Sequence, residues 1–247
     1  ADGRELRARL VVGADGANSW VREQIGILAN FKPYGELGVV ANFRCEQSHH
    51  GVAYQWFRED GVLAMLPLHD QQMSMVWSTP TAHAQELLAL APEVLCQRVS
   101  AAMGEDVAAR LGSLTVVTPA TGFPLRFMRT EATVRHRVAL LGDAAHAIHP
   151  LSGHGINLGY QDARVLAELI SALPAWADPG EPNVLRRYAR ARAEEPMVLQ
   201  YSTHALHGLF KRRDPLAGFV RNHGMNLVGR LPVLKQLLVR YATSGHL

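Results

Sequence analysis

Apolar and polar positions alternate from Glu5 onward and become fully apolar at Leu10 to Val12, a pattern that predicts a strand over residues 5–12 whose end is buried on both faces. The preceding Asp2-Gly3 pair reads as half of a hairpin turn. A chain that opens at such a turn, without Met, is expected to be a piece of a longer protein whose earlier partner strand lies upstream. Period-two signals return at Val39 to Phe43, Val52 to Phe57, Val62 to Leu66 and Met73 to Trp77. Asp60-Gly61 punctuates the middle two as a tight hairpin would, so this stretch predicts an antiparallel sheet. Residues 83–111 switch to helical spacing, with Leu87 and Leu88 before Pro92 and then Leu95, Val99 and Met103; Pro92 suits a first helical turn. Thr115 to Val117 and Thr121 to Leu125 are extended again. Beyond residue 137 the order is strand, turn, helix, and then helices to the end.

Composition narrows the function classes. With 48% hydrophobic residues in 247, the chain can build a sizeable core. Cys45 and Cys96 are too few for a disulfide framework or a thiolate metal site, and they read as small core residues in a reducing, cytoplasmic setting. No apolar run approaches the roughly 20 residues of a membrane-spanning helix, and the charged opening does not read as an export signal. Charge is uneven. From Arg186 onward 11 Lys or Arg face Glu194, Glu195 and Asp214, a balance of +8 that leaves −5 for the first 185 residues. The basic region suits an anionic membrane surface or an acidic partner, whereas the absence of zinc-finger spacing and of RNA-binding aromatic motifs argues against nucleic acid.

Two segments carry candidate chemistry. In the later one, Val138 to Leu141 predicts a short buried strand, Gly142 permits a sharp exit at its carboxyl end, and Asp143 is placed to accept hydrogen bonds from a ribose or ribityl hydroxyl. Gly153 and Gly155 leave backbone amides bare, and Gly155 opens a helix with Leu158, Leu166, Leu169, Ile170 and Leu173 on its apolar stripe. A helix start offers unpaired amides to a pyrophosphate or to a reduced flavin. A ligand-free, glycine-rich connection explains the same spacing. So does a metal site of Asp143, His146, His149 and His154, although Pro150 and the glycines break helical ligand spacing and His146 reads better as a packed or capping residue. The earlier segment, Val11 to Arg22, repeats the design: a strand ending at Gly13, a carboxylate at Asp15, a permissive Gly16, and Ser19 as the cap of a following helix. Turn chemistry alone also accounts for these residue types.

Together the two segments are more specific. Gly13 to Gly16 with Gly142 to His146 resembles the aromatic hydroxylase group of FAD monooxygenases, and further segments narrow the resemblance to the ubiquinone-biosynthesis hydroxylases. Those segments are Tyr54-Gln55 with Phe57, Leu63 to Leu68, Val76 to Thr79, Phe123 to Leu125, Arg221-Asn222 and Leu231 to Lys235, so nearly the whole chain is covered. The family usually has Gln where His154 stands, and its opening Gly-x-Gly-x-x-Gly segment is not in this chain.

The resemblance implies an α/β (mixed α+β) fold: an incomplete, Rossmann-like FAD-binding domain over residues 1–34 and 131–180, an antiparallel-sheet substrate domain over 35–130, and a C-terminal helical region over 181–247. It implies that Asp15, Gly16 and Arg22 belong to a segment shared by FAD and nicotinamide binding. Gly142 and Asp143 are then expected at the FAD ribose region, and Pro150, Gly153, His154, Gly155 and Asn157 along the pyrophosphate and flavin. The implied reaction is reduction of FAD by NADH or NADPH, capture of dioxygen by the reduced flavin, and hydroxylation of a polyprenyl phenol, with no side-chain nucleophile and no metal. Tyr54, Trp56, Met65, Met73, Met75 and Trp77 are expected as apolar wall of the substrate cavity, or as plain core. The piece alone is expected to bind FAD weakly or not at all and to be inactive. The basic C-terminal region, about 204–247, is expected at a membrane surface or in a biosynthetic complex. Rival readings are a reductase or halogenase of related fold, the latter without an identifiable catalytic lysine here, and a scaffold that keeps the fold without FAD.

Overall fold

The computed structural model describes residues 3, 5–147, 155–194, 196–198 and 201. In chain order its elements are β1 (Val11–Gly13), α1 (Trp20–Gln24), β2 (Ala29–Cys45), β3 (Tyr54–Arg58), β4 (Gly61–Pro67), β5 (Gln72–Pro80), α2 (Thr81–Leu88), α3 (Pro92–Met103), α4 (Glu105–Leu111), β6 (Leu114–Val116), β7 (Thr121–Thr130), β8 (Val134–Arg135), β9 (Val138–Leu140), β10 (His146–Ala147), α5 (Gly155–Ser171) and α6 (Pro182–Ala191), with a 3-10 turn at Gly142–Ala144. They divide into two compact units, residues 33–126 and the remainder.

The unit of residues 33–126 is an antiparallel sheet in the order β7-β2-β5-β4-β3, with β6 also paired to β2. Alternation along the strands gives it two unlike faces. On one, Val39, Ala41, Phe43, Leu63, Met65, Met73, Met75 and Trp77 pack with Leu87, Leu95, Val99, Met103 and Leu111 of the helices into a single core. The helical stretch read from the sequence is three helices, because Gly104 turns the chain at φ +81° and Pro92 begins a helix at its first turn. The β3–β4 connection is one residue earlier than expected. Arg58 is opposite Gly61, so Glu59 and Asp60 form the turn and Gly61 already belongs to the strand. Gly61 is obligatory there, since its φ is +129° and a Cβ would stand 1.9 Å from the Ser78 carbonyl oxygen.

In the other unit β1 runs parallel to β9, and β8 pairs antiparallel on the far side of β9. All three residues of β9 are buried. Ala139, with Leu141 just beyond the strand, packs with Leu166, Leu185 and Tyr188 from α5 and α6, while Leu140 packs with Ile27, Ala144 and Ala145, so the short strand is covered on both faces. The expected strand over residues 5–12 is corrected on two counts: it is confined to Val11–Gly13, and Val11 and Val12 are 44% exposed rather than buried, with Leu6 at 92%. An apolar run reports what a strand can bury; β1 lies at the end of its sheet with β9 as its one neighbour among the described residues. Of the expected Asp2-Gly3 turn, Asp2 lies outside the described residues.

Candidate functional site

The parallel pairing of β1 and β9 brings both motif segments to the same end of the sheet. Gly13 is opposite Leu140, and the Leu141 amide donates to the Gly13 carbonyl at 2.9 Å. Gly13 is required by packing, because a Cβ would come within 2.8 Å of Leu140 and 2.9 Å of Val21. Past the strand, Gly16 turns at φ +85°. Asp15 Oδ2 accepts the Val21 amide at 3.1 Å and Ser19 Oγ accepts the Arg22 amide at 2.9 Å, so the carboxylate and the hydroxyl cap α1 together. Burial alone would raise the Asp15 carboxyl, but the Ser19 hydroxyl and the Val21 amide outweigh it and hold the group below 3.8. Arg22 is buried. Its guanidinium donates to the Ala144 and Ala17 carbonyls, each at 3.0 Å, and lies 5.7 Å from the centre of the Phe31 ring, so it stitches one turn to the other.

The second turn leaves β9 at Gly142, whose φ is +55°, and closes over Gly142–Ala144 with Asp143 exposed at its crest. Beneath it is a buried polar cluster. The Gly142 amide donates to Asp162 Oδ2 at 2.8 Å, His146 Nε2 meets the same oxygen at 2.8 Å, and Arg192 Nε donates to Asp162 Oδ1 at 2.6 Å. Burial pushes the Asp162 carboxyl up, but His146, Arg192 and the Gly142 amide more than compensate and hold it below its ordinary value. Tyr188 donates its hydroxyl to the Leu140 carbonyl at 2.9 Å, and burial, then the nearby Asp162 charge, drives that phenol well above its usual range. The first turn of α5 faces solvent at Ile156 and Asn157, and Gly159 lies close enough that a Cβ on it would meet the Gly142 Cα at 3.4 Å.

Asp15, Gly16 and Arg22 are thus brought together with Gly142 and Asp143, and Gly155 and Asn157 open the helix whose Gly159 touches Gly142. Pro150, Gly153 and His154, together with His149, lie outside the described residues. Of the two readings of the sheet positions, cavity wall or plain core, their burial matches the second. Met65, Met73, Met75 and Trp77 are 0–1% exposed in the core beneath the helices, and Tyr54 and Trp56 pack on that same side. The opposite face, against which no helix packs among the described residues of this unit, carries Val40, Val76, Ala64 and Gln55 in one cross-strand row. Sequence reasoning missed Asp162, Tyr188 and Arg192. Asp162 had a signal: it falls four residues from both Leu158 and Leu166, on the stripe that packs inward.

The arrangement suits a dinucleotide. Two parallel strands end in adjacent turns, each with an exposed carboxylate; Gly16 has open space where a Cβ would stand, and a helix start is exposed alongside. Residues 1–199 match the model of the FAD binding domain family. The chain belongs to that family. Relatives over nearly the whole length include ubiquinone hydroxylases: Ubiquinone hydroxylase UbiL of Rhodospirillum rubrum is 37% identical over 98% of this chain and 56% of its own. The 3-demethoxyubiquinol 3-hydroxylase of Escherichia coli is 34% identical over 97% and 60%. Among solved structures, PqsL of Pseudomonas aeruginosa, a probable FAD-dependent monooxygenase, superposes with a TM-score of 0.73 at 29% identity over 88% of this chain and 60% of its own. The chain therefore spans 56–60% of the length of these similar proteins.

Proposed function

We propose that the complete protein is an FAD-dependent, NADH- or NADPH-driven monooxygenase that hydroxylates the ring of a polyprenyl phenol in ubiquinone biosynthesis. The observation that carries this reading is the junction of the two motif turns, through the Leu141 amide to the Gly13 carbonyl and Arg22 to the Ala144 carbonyl. In it Asp143 accepts hydrogen bonds from the FAD ribose region, Asp15 and Gly16 line the neighbouring turn, and the amides opening α5, with Gly155 and Asn157, face the negative end of the cofactor. When bound, FAD supplies the redox chemistry with dioxygen; the chain's residues bind it, orient it and exclude water. The face of the 33–126 sheet opposite its helices, with Val40, Ala64 and Val76, offers an apolar wall for the ring.

The chain spans 56% of the length of Ubiquinone hydroxylase UbiL, so the activity is proposed for the complete protein rather than for these 247 residues. The 247-residue chain alone is accordingly expected to bind FAD weakly and to turn over no substrate.

Among the described residues no helix is long and apolar enough to cross a membrane. The C-terminal region expected at a membrane or in a complex lies outside the described residues; exposed Arg186, Arg187 and Arg190 on α6 extend its positive charge. Peripheral association with anionic lipid is part of this proposal and is tested by vesicle co-sedimentation.

The decisive experiment reconstitutes the protein from its complete reading frame with FAD and follows NADH and NADPH oxidation with a polyprenyl phenol under labelled dioxygen. Incorporation of one labelled oxygen atom into the ring supports the assignment. Nicotinamide oxidation that releases only hydrogen peroxide, or no flavin binding, rejects it.

A further inference from the structure

Asp162 is out of place by hydrophobic pattern. It is fully buried on α5 between Leu158 and Leu166, where a carboxylate is costly unless its lone pairs are used. They are used in a particular way. Oδ2 takes the Gly142 amide at 2.8 Å and meets His146 Nε2 at 2.8 Å, and these two groups stand one residue before and three residues after Asp143. A carboxylate held ionised only accepts, so His146 Nε2 carries the proton of that hydrogen bond. Oδ1 takes Arg192 Nε at 2.6 Å, and Arg192 is the residue that ends α6. One turn earlier on α6, the Tyr188 hydroxyl holds the Leu140 carbonyl at the end of β9. The strand, the turn and two helices meet on one side chain and its neighbour.

We infer that Asp162 is a positioning residue for the flavin: it grips the Gly142–His146 turn at both ends, fixes the direction of Asp143, and makes cofactor affinity depend on α6 through Arg192. This deepens the flavin reading above and rests on it. A residue needed for packing alone would act on stability and leave the affinity of the folded protein unchanged. A clamp acts on the affinity itself.

The test titrates FAD into the apo form of the complete protein, following quenching of flavin fluorescence and the visible band of the bound cofactor, beside thermal melts of each apoprotein. In Asp162→Asn one amide hydrogen-bond donor replaces an acceptor and must face the Gly142 amide, His146 or Arg192. The FAD Kd is expected to rise at least tenfold, with an altered visible band. Arg192→Met is expected to weaken FAD comparably, whereas Arg192→Lys, which keeps the cation, stays within threefold of the parent. Folded Asp162→Asn or Arg192→Met protein with parental Kd and band overturns the clamp. Should Asp162→Asn fail to fold, the Arg192 pair decides, and equal affinities for Met, Lys and parent overturn it. A parent that binds no FAD rejects the flavin reading and the clamp with it; a parent that binds FAD while no folded variant changes affinity rejects the clamp alone.

Discussion

Asp143 and Gly61 show how differently single residues carry weight. Asp143 is exposed on a turn whose backbone is held by its neighbours, so Asp143→Ala should leave the fold intact and remove charge-assisted hydrogen bonds to FAD worth about 1.5–3 kcal/mol. That is roughly ten- to hundredfold in Kd, read as flavin content of the purified variant; unchanged content removes Asp143 from the site. Gly61→Ala touches no site, yet its Cβ would meet a backbone oxygen at 1.9 Å in a conformation only glycine adopts readily. A loss of about 3 kcal/mol in urea unfolding is expected. Asp162 adds an acid dependence. Its carboxyl lies below 3.8 in the folded protein, so its contribution is complete above that value and is lost as pH falls through the lower folded one. The stability deficit of Asp162→Asn at pH 7 should therefore shrink toward pH 2, and a constant deficit would show that the charge is idle. The Gly-Asp turns were legible in the sequence because glycine and aspartate report local backbone geometry. Arg192 was not, because nothing local distinguishes a buried arginine just past a helix from its exposed neighbours Arg186 and Arg190.

At the level of elements, the sheet of residues 33–126 was legible as antiparallel strands, and a strand lies at each of the four expected places, the second beginning at Tyr54 rather than Val52. Which face matters was left open between a cavity wall and plain core. Aromatics and methionines suggested a cavity wall, but the alternation Met73, Ser74, Met75, Val76, Trp77, Ser78 already separates a greasy side from a mixed one, and the helices cover the greasy side. The two faces make opposite predictions. Met75→Ala empties a fully buried site and should lower stability by about 2–5 kcal/mol. Ala64→Phe, on the face opposite the helices, should instead raise KM for the phenol with FAD affinity unchanged, as steady-state kinetics beside a flavin titration would show. A parental KM for several ring sizes would remove that face from the substrate path.

Across the whole molecule, sequence patterning suggested a sheet-with-helices block over 35–130, a strand-turn-helix block and a separate region over 181–247, whereas the chain forms two compact units, 33–126 and the remainder, each with its own core. The pattern could not show how much of each surface is covered, since cover comes from elements distant in sequence. That gap has a practical side at β1. Among the described residues no strand pairs its outer edge, where Val11 and Val12 are both 44% exposed, and such an edge is a template on which another chain can add a strand. Colloidal behaviour then follows from a three-residue element: the 247-residue chain on its own should self-associate as its concentration rises, in sedimentation velocity as a growing fast-moving fraction. Val12→Lys places a charge on that edge and should return the chain to monomer, whereas a parent already monomeric at high concentration would mean that the edge is sealed in solution.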